Sequence, residues 1–264
     1  MSRRIGAVRA GWHIGMWLAA AIGAAASASA AAEVPFGHGE RLVYEIAWFS
    51  LVGGTASLAV EEADQDGTPI FRLRSVAKSN SFVSMFFPVE DRIESLVDRE
   101  TLAALRLDVK QRQGDRRRER VTVFDQVNHV ATVVKNGERK MLDIPPSAQD
   151  SLSCLYYFRS LPKIGVGETV TIDVHESNKN WRLGIVGLNR ERVRTGAGEF
   201  DAIRVRAQVE FEGVFLDRGD VYIWFTDDER RLPVRMESKI KIGRISANLI
   251  EYEPGPRPVS QAMP

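Results

Sequence analysis

Residues 149–161 read QDSLSCLYYFRSL, and this stretch decides how the rest of the chain is interpreted. The chain on either side alternates apolar and polar residues as β-strands do, but this stretch does not. Asp150 is suited to cap a first helical turn, and Pro162 would end the helix. Four of its residues fall at helical spacing: Leu152, Leu155, Tyr156 and Arg159. The sequence therefore predicts one apolar, aromatic helix between a β-rich first half (about 40–144) and a β-rich second half (about 168–252).

Period-two alternation predicts roughly a dozen strands in these two halves, each with one apolar and one charged face. Gly53-Gly54 and Asn136-Gly137 are predicted turns between strands. Strands of this kind, joined by short turns, form an antiparallel sheet that is wet on one side, and so many strands must twist and curl. The predicted fold is mainly β: a strongly curved antiparallel sheet (an unclosed or half barrel), with the central helix on its concave face.

A second irregular stretch, SNSFVSMFFP at 79–88, predicts one or two helical turns capped by Ser79 or Asn80. It carries too many apolar side chains for an ordinary surface loop, so they should face the core, a ligand or a partner. We expect this short helical turn to pack with the central helix on the concave face.

The first thirty residues have the composition of a secretory signal peptide. Arg3, Arg4 and Arg9 precede an apolar run from Ile14 to Ala26, and small residues follow at cleavage spacing. We therefore predict a signal peptide at 1–30, with cleavage after Ala30 or Ala32 left open; an uncleaved anchor is the alternative. The remainder, 31–264, is predicted to be a single β domain whose tail from about 253 is loose.

The expected compartment is the bacterial periplasm, reached through this leader. The formal net charge is +1, and it falls to −2 when the three leader arginines are removed. A nearly neutral protein is not a general nucleic-acid binder, and no second apolar run is long enough to cross a membrane. The sequence thus favours a protein that is not integral to the membrane and binds no nucleic acid.

No catalytic constellation is visible in the sequence. Cys154 is the only cysteine and is interpreted as a small buried residue, while His129 and His175 are expected to be solvent-facing. No metal-ligand spacing, nucleophile elbow or phosphate-binding loop is present, so neither a metal nor another cofactor is expected. A hydrolase would require acids of different turns to meet in one cleft. The paired acids are Glu61-Glu62, Glu90-Asp91 and Asp227-Asp228.

The densest charge run is KQRQGDRRRER at 110–120, which predicts a hairpin with its tip near Gly114. One interpretation is a solvated hairpin whose charges prevent edge-to-edge pairing. The other is a contact for anionic lipid headgroups or another envelope polyanion or partner. The candidate contact residues are Arg112, Arg116, Arg117 and Arg118.

Aromatic residues from both halves of the chain would converge if the sheet curls onto its concave side. They either pack as core or line a cavity for an apolar ligand, which a curved half barrel readily leaves. The candidate cavity residues are Trp48, Phe82, Phe86, Tyr156, Tyr157 and Trp224.

Several stretches resemble the DUF3108 family of exported bacterial proteins. Asp150-Ser-Leu-Ser before the aromatic pair is one of the most specific parts. The stretches are GERLVYEIAWFSLVGGTASLAV at 39–60, SNSFVSMFFPVEDR at 79–92, QDSLSCLYYFRSL at 149–161, GEFDAIRVR at 198–206 and VYIWFTDDERRLPVRMESKIKIGRISANL at 221–249. The resemblance implies a fold similar to the periplasmic lipoprotein carriers LolA and LolB, but no established activity and no lipid-binding residue.

Two functions fit these observations. The first is a non-catalytic periplasmic protein that binds a lipid, a lipoprotein acyl chain or another apolar or amphipathic ligand on the concave face, with the central helix as plug or lid. The alternative is a structural or adaptor protein with a filled core, which contacts an envelope protein or polysaccharide through the basic hairpin.

Overall fold

The computed structural model describes residues 34–49, 51–211, 214–215, 221–239 and 243–255. The predicted signal peptide, its cleavage site and the tail beyond Gly255 lie outside these residues. The described strands are β1 (Glu40–Trp48), β2 (Leu51–Gln65), β3 (Thr68–Ser79), β4 (Val89–Asp98), β5 (Ala104–Gln113), β6 (Arg116–Asp125), β7 (Val130–Lys135), β8 (Glu138–Asp143), β9 (Thr169–Glu176), β10 (Lys179–Thr195), β11 (Gly198–Phe211), β12 (Val214–Phe215), β13 (Val221–Thr226), β14 (Pro233–Lys239) and β15 (Arg244–Pro254). The described helices are α1 (Ser81–Ser84) and α2 (Ser153–Ser160).

All of these strands belong to one antiparallel sheet. Its order is β8-β7-β6-β5-β4-β3-β2-β1-β15-β14-β13-β11-β10-β9, with β12 paired to β11 outside this path. The two halves of the chain therefore join where β1 pairs with β15, for example Tyr44 opposite Leu249. The predicted mainly β, curved and unclosed antiparallel sheet is confirmed.

The two edge strands, β8 and β9, are linked by the segment that leads into α2 rather than by a strand ladder. Gln149 forms an isolated parallel bridge with Val174 of β9. Asn180, at the start of β10, donates from Nδ2 to the backbone oxygen of Asp143 at 2.8 Å. These two contacts thus link the edge strands β8 and β9, and Gln149 is followed directly by the chain that enters α2 on the inside of the curved sheet.

We call the face that packs against α2 the inner face. Phe158 of α2 lies 4.9 Å from Phe225 of β13 between ring centroids, and Tyr156 lies 5.0 Å from Phe36. Both contacts bury side chains that the sheet alone would leave in water. The helix is therefore the core filling that the curved sheet requires.

The helix begins later than the sequence predicts, at Ser153 rather than near 149, but Asp150 still caps it. Its Oδ1 accepts hydrogen bonds from the backbone N–H groups of Leu152 and Ser153 at 2.7 and 2.8 Å. In return the Ser153 hydroxyl accepts from the backbone N–H of Asp150 at 2.8 Å. Burial raises the pKa of Asp150, although the hydrogen bonds from Ser95 and the backbone oppose that rise.

The last turn of α2 is held by a buried ion pair. Arg159 donates to both carboxylate oxygens of Glu40, at 2.7 and 2.9 Å, and each side chain is only 1% exposed. Arg159 also donates to the backbone oxygen of Arg230 at 3.1 Å and lies over the Phe36 ring. Burial acts to lower the pKa of Arg159, but the hydrogen bonds and charge of Glu40 raise it overall, so the guanidinium stays charged.

Two expectations about local structure are wrong. Gly53 and Gly54 lie inside β2 instead of forming a turn, and a Cβ on Gly54 would come within 2.1 Å of the Lys78 backbone oxygen. The short helical turn α1 is not packed on the inner face, because it projects from the end of the sheet. Strand β15 reaches Pro254, and the predicted loose tail from about 253 otherwise lies outside the described residues.

Replacing Arg159 by Met should lower the free energy of unfolding by about 3–5 kcal/mol, because the Glu40 carboxylate would be left buried without a cation. Urea denaturation measures the change. The double variant Glu40→Leu with Arg159→Met should regain most of the loss, since both buried charges are gone.

The matched control is Arg41→Met, which removes an exposed arginine that pairs with Glu253 at 2.9 Å. That change should cost less than about 1 kcal/mol. Equal losses for the two arginine variants would show that the buried pair does not hold the helix.

Candidate functional site

Side-chain burial on the inner face decreases steadily along the strands, from one end of the strands to the other. We call the strand ends that lie next to Phe49, to residues 80–88 and to residues 114–115 the upper edge of the sheet. On β1, Leu42 and Tyr44 are fully buried, Ile46 is half-buried and Trp48 is 44% exposed. On β15, Leu249 is fully buried while Ile245 is 38% exposed. The inner face is thus sealed toward its lower edge and open toward its upper edge.

The open part of the inner face is nevertheless apolar. Its half-buried residues come from strands of both halves and include several small ones, which leave space above the helix. We call these residues the upper inner face: Ile46, Ala56, Ala77, Ile93, Ala207, Ile223, Met236 and Ala247. An apolar surface that the helix leaves half-covered is a candidate binding surface.

A cleft of about 420 Å³ opens on one side of this surface, at the seam between β5–β6 and the β9–β10 turn. Ile93 and Val109 form part of its lining. Arg118, Arg120 and Lys135 line it as well, and register places them on the same face of β6 and β7. Two carboxylates, Glu119 and Glu176, also line the cleft, so its walls combine apolar groups with three cations and two acids.

The cations of this cleft differ in how they are paired. Arg120 forms an ion pair with Glu176 and donates to the Ser177 hydroxyl at 2.9 Å. Arg118 and Lys135 are exposed and have no carboxylate within 4 Å in the part of the chain that the structure describes. These two cations are available to an external anion, while Arg120 is neutralised by Glu176.

The six candidate cavity aromatics do not converge on the inner face as expected. Tyr157 is partly buried and packs, as Leu155 does, against both halves of the core. Tyr156 is fully buried beneath Arg159 and Phe36. Tyr156 therefore serves as core, whereas its neighbour Tyr157 is only partly buried.

Trp224 lies on the outer face, opposite Phe225. Its indole N–H donates to Glu191 at 2.6 Å, and the guanidinium groups of Arg204 and Arg235 lie 5.0 and 5.7 Å from its ring. The strand alternation already separated Trp224 from Phe225, so placing it in the concave cavity conflicted with that pattern. This side chain is 5% exposed, because apolar side chains of the core cluster and these two arginines together cover it.

Trp48, Phe82 and Phe86 lie at the upper edge and are largely exposed. Phe82 is 65% and Phe86 78% exposed, and their ring centroids are 5.9 Å apart. Trp48 is the last inner-face residue of β1. Phe82 and Phe86 are outside the core because α1 is held by β2 and not by the inner face: the Asn80 side chain donates to the backbone oxygen of Val52 at 2.7 Å. These aromatics belong to a surface, not to an enclosed cavity.

The basic hairpin forms as predicted, by β5 and β6 with Gly114 at its tip. Pairing of Arg112 with Arg117 places both on the outer face, whereas Arg116 and Arg118 lie on the inner face. All four are exposed, and none has a carboxylate partner within 4 Å among the described residues. The hairpin is therefore a cationic surface with two differently directed sides.

The sequence matches the family described as protein of unknown function (DUF3108) over residues 43–250. The chain belongs to the DUF3108 family. No curated protein matches it in sequence. The predicted resemblance is thereby confirmed, and the family's description names no activity.

Among solved structures, the DUF3108 chain is similar to a β-barrel-like protein of the DUF1849 family from Brucella abortus. The TM-score is 0.56 at 9% identity, and the match covers 83% of this chain and 98% of that one. At this identity the likeness concerns the fold alone. An open curved sheet with a helix on its inner face is also consistent with the expected likeness to LolA and LolB.

Two further structures match at lower TM-scores. One, from Bacteroides fragilis, is provisionally described as an exported protein with a YmcC-like fold; its TM-score is 0.35 at 12% identity. The other, from Parabacteroides distasonis, is provisionally described as a lipoprotein; its TM-score is 0.38 at 11% identity. Each match covers 83% of this chain and 98% of the other, and at these scores neither carries an argument.

The acid pairs of the DUF3108 chain each have their own partners. Glu61 pairs with Arg74, Glu90 with Arg92, and Asp228 with Arg230. Among the described residues, no group of three or more His, Cys, Asp or Glu side chains could hold a metal ion. Burial raises the pKa of the Cys154 thiol to about 12, which keeps it protonated. No helix in the described ranges combines the length and apolarity needed to cross a bilayer.

Of the residues that line the cleft, Arg118 was a candidate contact from the sequence, but the others were missed by sequence reasoning. Ile93 and Val109 read as ordinary core positions of their strands, and Lys135 as an ordinary hairpin charge. Alternation tells which face a residue is on, but it does not tell how far along the strand the helix reaches. One signal was available: Arg118 and Lys135 are charged residues at inner-face positions near the upper ends of β6 and β7, and charges there indicate that the helix does not cover that region.

His175 was expected to face solvent but is only 2% exposed. Its Nδ1 lies 2.7 Å from Asn180 Oδ1, while Nε2 has no hydrogen-bond partner in the described part of the chain. Burial lowers the pKa of His175, partly offset by the hydrogen bond to Asn180. Its position at the sealed seam between the sheet edges explains this burial.

Acidification should destabilise the protein through His175. Because its pKa is lowered on folding, the stability it contributes is complete above its ordinary pKa of about 6.5 and is lost as the pH falls below that value. The free energy of unfolding should thus decrease from about pH 7.5 to about pH 5.5, and less so in His175→Phe. A control is His129→Phe, at an exposed turn, which should keep the wild-type slope. Identical slopes in all three proteins would contradict this assignment.

Proposed function

We propose that the protein is a non-catalytic protein of the bacterial cell envelope, reached by export, that binds an anionic amphipathic ligand on its upper inner face. The observation that carries the proposal is the decrease in burial along the inner face. The inner face carries apolar side chains up to the upper edge, although α2 covers only its lower part. A contiguous apolar surface that the core leaves uncovered is typical of an interaction or ligand-binding site.

The adjoining cleft supports an acidic headgroup for this ligand. Arg118 and Lys135 line it without carboxylate partners among the described residues, next to Ile93 and Val109. A phosphate or carboxylate would pair with the two cations, and an alkyl chain would lie on the apolar wall. A fatty acid or a phospholipid has this chemistry. The ligand would be held by burial of its chain and oriented by its charge.

The first experiment is native mass spectrometry of the exported protein, purified gently from a bacterial periplasm. We expect excess mass that is released as lipid on denaturation. The delipidated protein should then bind a fluorescent long-chain fatty acid, and more weakly an uncharged analogue with the same chain. A protein that carries no excess mass and takes up neither probe would overturn the proposal.

Two pairs of neighbouring residues provide matched variants, because successive strand residues face opposite sides. Ala77→Trp fills the upper inner face, whereas Val76→Trp places the same ring on the outer face. Arg118→Glu reverses a cleft charge, whereas Arg117→Glu reverses its outward-facing neighbour.

Ala77→Trp should weaken binding of both probes at least about tenfold by excluding the chain. Arg118→Glu should weaken only the fatty acid, by about tenfold or more. Val76→Trp and Arg117→Glu should bind as the wild type does. Equal affinities within each pair would contradict this location of the site.

A further inference from the structure

The upper edge carries a cluster of exposed apolar side chains from two loops. We call this cluster the apolar tip: Trp48, Phe49, Leu51, Val52, Phe82, Met85, Phe86 and Phe87. Met85 is 71% and Leu51 69% exposed, values far from those of core residues. Single exposed apolar residues are common on proteins, but a contiguous group of this kind marks an interaction surface.

Hydrogen bonds join the two loops into one unit. The backbone N–H of Asn80 donates to the Gly53 oxygen at 2.8 Å, and its side chain donates to Val52. Asn80 Oδ1 also accepts from the backbone N–H of Val83 at 2.9 Å, which fixes the turn that presents Phe82 and Phe86. The structure thus holds these aromatics outward instead of folding them onto the sheet.

The apolar tip lies directly beside the basic hairpin. The N–H of Gly114 donates to the Pro88 oxygen at 2.8 Å, and the Phe87 ring packs so closely on Gly114 that a Cβ there would come within 2.8 Å of it. Residues 110–120 contain six basic residues against two acids, Asp115 and Glu119. Arg112, Arg116 and Arg117 are exposed there without carboxylate partners among the described residues. Apolar and cationic groups therefore share one end of the molecule.

We propose that this end docks on the surface of an anionic phospholipid bilayer, with the apolar tip inserted at the headgroup level and the hairpin arginines on lipid phosphates. Aromatic and long apolar side chains favour the membrane interface, and neighbouring cations favour anionic lipids. A second copy of the chain is a poorer occupant, because tip-to-tip association would bring two net-positive hairpins together. This inference does not depend on whether the upper inner face holds a ligand.

Flotation of the exported protein with lipid vesicles tests the proposal. The protein should float with vesicles of equimolar phosphatidylglycerol and phosphatidylcholine, and much less with pure phosphatidylcholine. Phe86→Asp should reduce the bound fraction at least about tenfold by removing an inserted ring. Arg117→Glu should reduce it by about tenfold or more, and added salt should weaken wild-type binding.

Matched controls lie at the other edge of the sheet or beyond it. Val127→Asp changes an 88% exposed apolar residue in the β6–β7 turn, and Lys163→Glu reverses a charge that pairs with Glu229. Both should float as the wild type does. Arg117→Glu also separates the two proposals, since it should lose vesicle binding and keep fatty-acid binding.

Three results would overturn the membrane proposal. One is a wild type that does not float with the anionic vesicles, and another is flotation of Phe86→Asp and Arg117→Glu equal to that of their controls. Light scattering could instead show a dimer that Phe86→Asp converts to a monomer, which would make the apolar tip a contact between two copies.

Discussion

The buried pair between Arg159 and Glu40 fixes where the helix lies inside the curved sheet. Its guanidinium joins the last turn of α2 to the first residue of β1 and to the backbone at Arg230, near the lower edge. A charged pair with both members 1% exposed is stable only in this complete geometry, because either charge alone would be buried without compensation. Asp150 fixes the other end of the same helix. The filling of the sheet is therefore held low, and the openness of the upper part follows from that position.

This placement divides the aromatic and apolar residues into two populations. Those level with the helix, such as Tyr156 and Phe225, are buried in the core. Those above it, such as Ile46 and Trp48, remain partly or largely exposed. The sheet strands are long enough to continue past the helix, so the same period-two pattern runs through both regions. Apolar residues in the upper region are thus available for contacts that the fold itself does not make.

The division also explains which features could be predicted from the sequence. Alternation along Leu42, Tyr44 and Ile46 defined the faces, and the break in alternation at 149–161 defined the helix, so the fold class was accessible. Burial was not, because it depends on the depth to which α2 penetrates. That depth is set by Arg159 meeting Glu40, a contact between residues more than a hundred positions apart in the chain. Phe82 and Phe86 were misplaced for the same kind of reason: Asn80 turns them outward through contacts with β2.

The anchoring of α2 bears on how a ligand would reach the upper inner face. An earlier expectation from the sequence was that the helix acts as a plug or lid. Lifting it would separate Arg159 from Glu40 and leave two charges in an apolar core, at a cost of several kcal/mol. The upper edge needs no such movement, since its inner residues are already half-exposed. On the proposed function, a ligand would therefore enter from that edge, past the apolar tip and the hairpin arginines, and α2 would stay in place beneath it. A bilayer docked at the same edge would stand directly at the opening, so the two proposals place the ligand source and the binding surface on one side of the molecule.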